Sequence, residues 1–122
     1  MMASERYLFC YAGDTAFLVR AHFLRHIWTR STPTPDEFQR VEAVDLRRRQ
    51  GQAARDEGVA LGLDLPGGAD VLLVDRIGGF SDVSEDEFLA LPSVFEFARQ
   101  TFDAACRRAI GGVYPLRLRL GA

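Results

Sequence analysis

Neither lysine nor asparagine occurs in the 122 residues, and all fifteen basic residues are arginine. Both missing residues need A/T-rich codons, so the composition points to a GC-rich, bacterial genome before it points to any activity. A basic excess is missing as well: the formal net charge is −2, and without a cationic field to attract phosphate a general nucleic-acid-binding role is excluded. No apolar run approaches the roughly eighteen residues a membrane helix needs, and Met1 to Arg6 lacks the cationic, apolar and small-residue sections of a secretory leader. A cytoplasmic location with no membrane partner is the expectation. Cysteine is scarce, and Cys10 and Cys106 read as reduced and buried rather than bridged.

Chemical motifs are also lacking. The pairs Gly67-Gly68, Gly78-Gly79 and Gly111-Gly112 match neither phosphate-binding glycine pattern, and the chain has no G-x-S-x-G, so they read as turns. Asp82-x-Ser84-x-Asp86 opens like a calcium loop, but Glu87 stands where glycine is needed and Ser93 where glutamate is needed. His22 and His26 have the i, i+4 spacing of a helical zinc pair, yet no third ligand lies near them, and on a strand they would be about 13 Å apart. No metal and no cofactor is expected. Arg47-Arg48-Arg49 lies in a stretch, Asp36 to Glu57, with six acids and five arginines, and reads as a solvated face.

What is present is the composition of a soluble globular protein, 48% apolar and 26% charged, of a length that suits a single domain spanning residues 1–122. Its organising stretch is Arg6 to Phe23. Gly13-Asp14 between two apolar runs is a two-residue hairpin signal, and folding the arms there sets Ala12 against Thr15, Cys10 against Phe17 and Leu8 against Val19. One face then collects Leu8, Cys10, Ala12, Phe17, Val19, Ala21 and Phe23. Its opposite carries Tyr7, Phe9, Tyr11, Ala16, Leu18, Arg20 and His22. The same residues admit a helix over Thr15 to Trp28 with Asp14 as N-cap, at the cost of placing Arg20 inside its apolar sector.

Further along, Thr34, Pro35 and Glu37 form a capping signature for a helix kinked near Gly51, or for two shorter helices. Val71 to Val74 is apolar on both faces, as a central strand is, and ends at Asp75-Arg76. Ser84 to Glu87 signals a second helix start before Phe88. From Val94 to Ala109, Phe95, Ala98, Phe102, Ala105 and Ala109 recur at helical spacing, and Gly111-Gly112 supplies a stop. Tyr114 to Leu120 alternates as a half-exposed strand, placed at an edge by Pro115. The expected class is α+β: a four-stranded mixed or antiparallel sheet, order ββαβαβ along the chain, with helices packed on one face.

Such helices would cover one hairpin face and leave the other exposed. The candidate binding residues are therefore Tyr7, Phe9, Tyr11, Arg20 and His22, supplemented by Asp75 at the end of the central strand. Two functions suit them. One is a non-catalytic binding or protein-interaction module that takes a protein partner or a second copy of itself as a homodimer. The other is a small enzyme or ligand-binding protein in which Arg20 fixes a small-molecule anion and His22 moves protons beside Tyr7 and Tyr11. The first is preferred, because few carboxylate, imidazole or thiol groups converge.

Overall fold

The computed structural model describes residues 3–53, 57–92 and 100–120. The hairpin is present. Strands β1 (Ser4–Ala12) and β2 (Thr15–Arg20) pair antiparallel with Ala12 opposite Thr15, Cys10 opposite Phe17 and Leu8 opposite Val19. Gly13 has φ +61° and no non-glycine residue among those described has positive φ, the sign pattern of a type II′ turn, in which only the first central residue needs the glycine region. After a 3-10 turn at Ala21–Phe23 comes β3 (Leu24–Thr29), so Thr15 to Trp28 is not a helix.

The helices expected elsewhere are largely strands, and the α+β class is replaced by an all-β architecture. Ten strands and one four-residue α-helix make up the regular structure among the described residues, together with three 3-10 turns. Downstream of Pro35 lie a 3-10 turn at Asp36–Phe38, then β4 (Ala43–Asp45), then the helix α1 (Leu46–Arg49) with Asp45 accepting from the backbone N–H of Arg47. Strands β5 (Val59–Leu65) and β6 (Gly68–Val74) follow as an antiparallel pair, and β7 (Arg76–Ser84) then crosses to the other sheet, beside β1. The signal at Ser84 serves a 3-10 turn, Glu85–Glu87, in which the Glu87 carboxylate accepts from the Ser84 N–H at 3.0 Å. Beyond it are β8 (Phe88–Ala90), β9 (Phe102–Cys106) and β10 (Leu116–Leu118).

The expected helix Val94 to Ala109 fails over its second half, while residues 94–99 lie outside the described residues. Phe102, Ala104 and Cys106 are buried and the residues between them half-buried, which is the two-residue period of a strand. Helical spacing from 95 to 109 was real in the sequence, but pairing with β8 and β10 overrides it. Strand β10 is likewise not an edge: it lies between β2 and β9. Pro115 fits because it precedes the first paired residue, where its missing N–H costs no ladder bond, and its carbonyl accepts from Cys106 N–H at 2.8 Å.

Two sheets result. One has the order β7-β1-β2-β10-β9-β8 and the other β3-β5-β6-β4, with β10/β2 and β4/β6 the parallel pairs. Leu8, Cys10, Ala12, Phe17 and Val19 face the second sheet, and with Leu46, Leu61, Leu63, Leu72, Val74, Phe102 and Leu118 they form the main core. Tyr7, Phe9 and Leu18, on the other face, form a second core with Val83 and Cys106, flanked by Phe88 and Ile110. The six-stranded sheet curls over this second core until its end strands, β7 and β8, are joined by the Glu85–Glu87 turn. The outer face of the small sheet is covered by Phe38, stacked on Trp28 with ring centroids 5.6 Å apart and seated against Ala60 and Val71.

Phe38 fits because β5 carries glycine beneath it. A Cβ on Gly62 would lie 2.5 Å from the Phe38 ring. Gly62→Ala should therefore lower stability by about 1–3 kcal/mol, read from the urea midpoint, and a smaller residue at position 38 should recover part of the loss. Additive losses in the double variant would refute this contact.

Candidate functional site

Burial separates the six candidate residues. Tyr7 is 1% and Phe9 5% exposed, so the expected open aromatic face is core. The cause is the curl of the large sheet, which brings Val83, Phe88 and Cys106 over that face where helices on one side only would have left it open. Tyr11 is half-buried; its ring meets Phe9 edge-on at 5.0 Å and carries the Arg76 guanidinium 4.1 Å above its centroid. His22 is exposed, in the 3-10 turn beside Phe23. Asp75, between β6 and β7, ties three segments together: its carboxylate accepts from Gly13 N–H at 2.5 Å and from Arg47 at 2.8 Å, while its own N–H donates to the Tyr11 carbonyl.

Tyr7 and Arg20 share a neighbour in Glu5. The Tyr7 hydroxyl donates to Glu5 at 3.1 Å, and the Arg20 guanidinium approaches the same carboxylate at 3.6 Å. Arg117 belongs to this neighbourhood too, although nothing in the alternating pattern of β10 singled it out. It is 7% exposed, donates to Asp103 at 2.7 Å and to Glu85 at 2.8 Å, and stacks on Phe88. Burial alone would push the Arg117 guanidinium down, but hydrogen bonds to Glu85, Asp103 and Tyr7 outweigh it and hold the charge above its ordinary range. Burial, with Glu5 adding to it, raises the Tyr7 phenol above 10.0 despite the opposing pull of Arg117. The Cys10 thiol is pushed up by burial alone, which removes it as a nucleophile near neutral pH.

Three clefts lie elsewhere. A groove of about 520 Å³ is bounded by Phe23, the Leu65–Asp70 turn and Leu120. One of about 260 Å³ lies between β4 and β10, around Val44, Leu46 and Leu118, and one of about 250 Å³ beside Trp28 and Phe38. None of Tyr7, Phe9, Tyr11, Arg20, His22 or Asp75 lines any of them. Among the described residues no group of three or more His, Cys, Asp or Glu is placed to hold a metal ion. His26 is in β3, paired with Glu37 across to the Asp36–Phe38 turn.

The surface feature the sequence reading missed is apolar. The strands β7 and β3 each stand at the end of their sheet. Phe80 is opposite Leu8 and Ile77 opposite Cys10, so both point to the inner face of the large sheet, and Ile27, opposite Leu61, does the same on the small sheet. Yet they are 54%, 37% and 42% exposed. The signal for them was available in principle, as apolar residues alternating in register with a buried strand. Gly78-Gly79 concealed it by reading as a loop, when Gly78 is the extra residue of a β-bulge.

These strand orders and the two cores define a CheW-like fold. The chain is similar to the crystal structure of the scaffolding protein TtCheW from Thermoanaerobacter tengcongensis, with a TM-score of 0.74 and 13% identity over 96% of this chain and 90% of that one. It matches no protein-family model and no curated protein. No helix among the described residues is long and apolar enough to cross a membrane.

Because the folded-state Tyr7 phenol titrates above the unfolded one, its contribution to stability is full below pH 10.0 and is lost as pH rises through the folded value. Tyr7→Phe should flatten that alkaline fall in the urea midpoint, which an ultraviolet titration of both proteins checks; an unchanged slope would sink the assignment.

Proposed function

We propose that this protein is a non-catalytic protein-interaction module of scaffold type, and that a protein partner seats on the apolar seam between β3 and β7. The observation that carries the reading is the exposure of Ile27, Ile77 and Phe80, three residues whose register turns them to the core-facing side of strands that end their sheets. Apolar side chains held on strand backbone in this way form a fixed surface for another chain, at low ordering cost. Arg76, next to Ile77 but on the opposite face of β7, lies over Tyr11, and Asp75 fixes the start of this strand to the hairpin turn and to α1. Similarity in fold to a protein described as scaffolding supports the same class. A second copy of this chain is one partner of the required chemistry.

An enzyme or small-ligand site built on Tyr7, Tyr11, Arg20 and His22 is less well supported. Tyr7 and Arg20 are engaged with Glu5, Tyr11 lies under Arg76, and His22 faces away beside Phe23. Acid–base catalysis needs such groups within hydrogen-bond reach of one substrate position.

Replacing Phe80 and Ile77 by serine should leave the protein folded at a cost of about 1–3 kcal/mol, since each side chain is only partly buried. It should also remove the complexes that the wild-type chain forms in extract of its own cells, measured by quantitative co-purification. Destabilisation well beyond that would mark the two residues as core. Retained complexes in the folded variant would place the interface elsewhere.

A further inference from the structure

The second core is closed by side chains where its sheet has no ladder. Strands β7 and β8 are the two ends of the six-stranded order, and what joins them is the turn Glu85–Glu87, acidic at each of its three positions. Arginines from the far side of the gap hold this segment down. Arg117 of β10 donates to Glu85 at 2.8 Å and stacks on Phe88, with its centre 4.4 Å from the ring centroid. Arg108, after β9, donates to the Asp82 carbonyl at 2.8 Å and pairs with Glu87 at 3.4 Å. Arg107 N–H donates to the Glu87 carbonyl. Beyond the turn, β8 is three residues long and pairs with β9 alone.

The geometry points to an electrostatic latch: the strap Asp82–Ala90 opens as a unit while the main core stays closed, uncovering the aromatic second core. Three observations make this separable from global unfolding. Asp82, Glu85 and Glu87 keep part of their surface in water, so the strap's carboxylates regain solvent readily on opening even where the arginine that holds them, as Arg117, is buried. The strap contributes Val83 and Phe88 to the second core and no residue to the main one. On the other side, the main core is crossed by the β1–β2 ladder and by the small sheet, neither of which involves the strap. The strap's own ladders are short and terminal, Asp82–Ser84 with the start of β1 and Phe88–Ala90 with β9, and short terminal ladders with partly solvated closures are the ones that open below the global free energy. What opening would present is the buried ring of Tyr7, with Leu18 and Cys106.

The chain contains its own reporters. Cys106 is in the second core, directly opposite Phe88 of the strap, while Cys10 is in the main core. Both are free and buried, so reaction with an aromatic disulfide reagent measures opening at each place separately. Arg117→Met should accelerate modification of Cys106 by roughly tenfold, with the rate at Cys10 unchanged, as breaking a partly buried pair at a latch predicts. Peptide mass spectrometry assigns the two sites. Should that variant fail to fold, Glu85→Gln, at a side chain 57% exposed, makes the same comparison with a smaller acceleration at Cys106 alone. Equal acceleration at both cysteines would show that the molecule opens as one unit and would overturn the latch. No acceleration at Cys106 in a folded variant would overturn it equally.

Discussion

A two-stranded ribbon that is apolar on both faces must be covered twice, and the β1–β2 hairpin of this protein sets that requirement. Leu8, Cys10, Phe17 and Val19 on one side and Tyr7, Phe9 and Leu18 on the other are each worth on the order of 1.5–3 kcal/mol when removed from water. A single layer of any kind leaves half of that unrealised. The chain meets the demand with two different covers. A separate four-stranded sheet closes the main core, and the second core is closed by the same sheet that contains the ribbon, curled back on itself. Joining the two is Asp75, whose contacts with Gly13, Tyr11 and Arg47 fix the end of β6 to the hairpin turn and to α1.

The two covers differ in physical kind. Between the sheets the contact is apolar, with Leu46, Leu61, Leu63 and Val74 all at most 3% exposed beside the Phe17 and Phe102 rings. Around the second core the closing groups are ionic and aromatic, and Arg117 is the centre: one guanidinium serves Asp103, Glu85 and the Phe88 ring. An apolar contact is indifferent to ionic strength and tolerant of small shifts, whereas a guanidinium held by two carboxylates is directional and responds to both.

The hairpin register was legible from Ala12–Thr15 back to Tyr7–Arg20, because a glycine turn between alternating apolar arms defines register locally, but the second arm ends at Arg20 and not at Phe23, where Ala21–Phe23 turns as a 3-10 segment. The strand at Val71–Val74 was legible for a similar reason: apolarity on both faces follows from a central position, here between β5 and β4. Most of the rest was hidden where local signals support more than one structure. Thr34-Pro35 and Ser84 to Glu87 resemble helix starts, but the backbone leaves the helix after one 3-10 turn because Phe38 and Phe88 must drop onto a sheet. Phe102, Ala104 and Cys106 alternate within a pattern that is also helical, and only β8 and β10 decide between the two. Candidate site residues were chosen by exposure inferred from the wrong cover, which is why Tyr7 and Phe9 proved interior while Ile27, Ile77 and Phe80 were passed over.

That exchange follows from how sheet edges work. Inside a sheet, a residue facing inward is buried by the strands on both sides of its own and by the opposing layer; at an edge it loses one neighbour, and where two edges part it loses the opposing layer too. Phe80 keeps the register of a core residue without the surroundings of one. The Gly78 bulge reinforces this, since the extra residue turns the edge strand and disrupts its free side as a template for another strand. A partner at this seam would therefore be held through side chains rather than by extending the sheet. The specificity of such a contact would depend on the shape of the apolar side chains, while the Asp75 contacts hold the start of β7 to the hairpin turn and to α1.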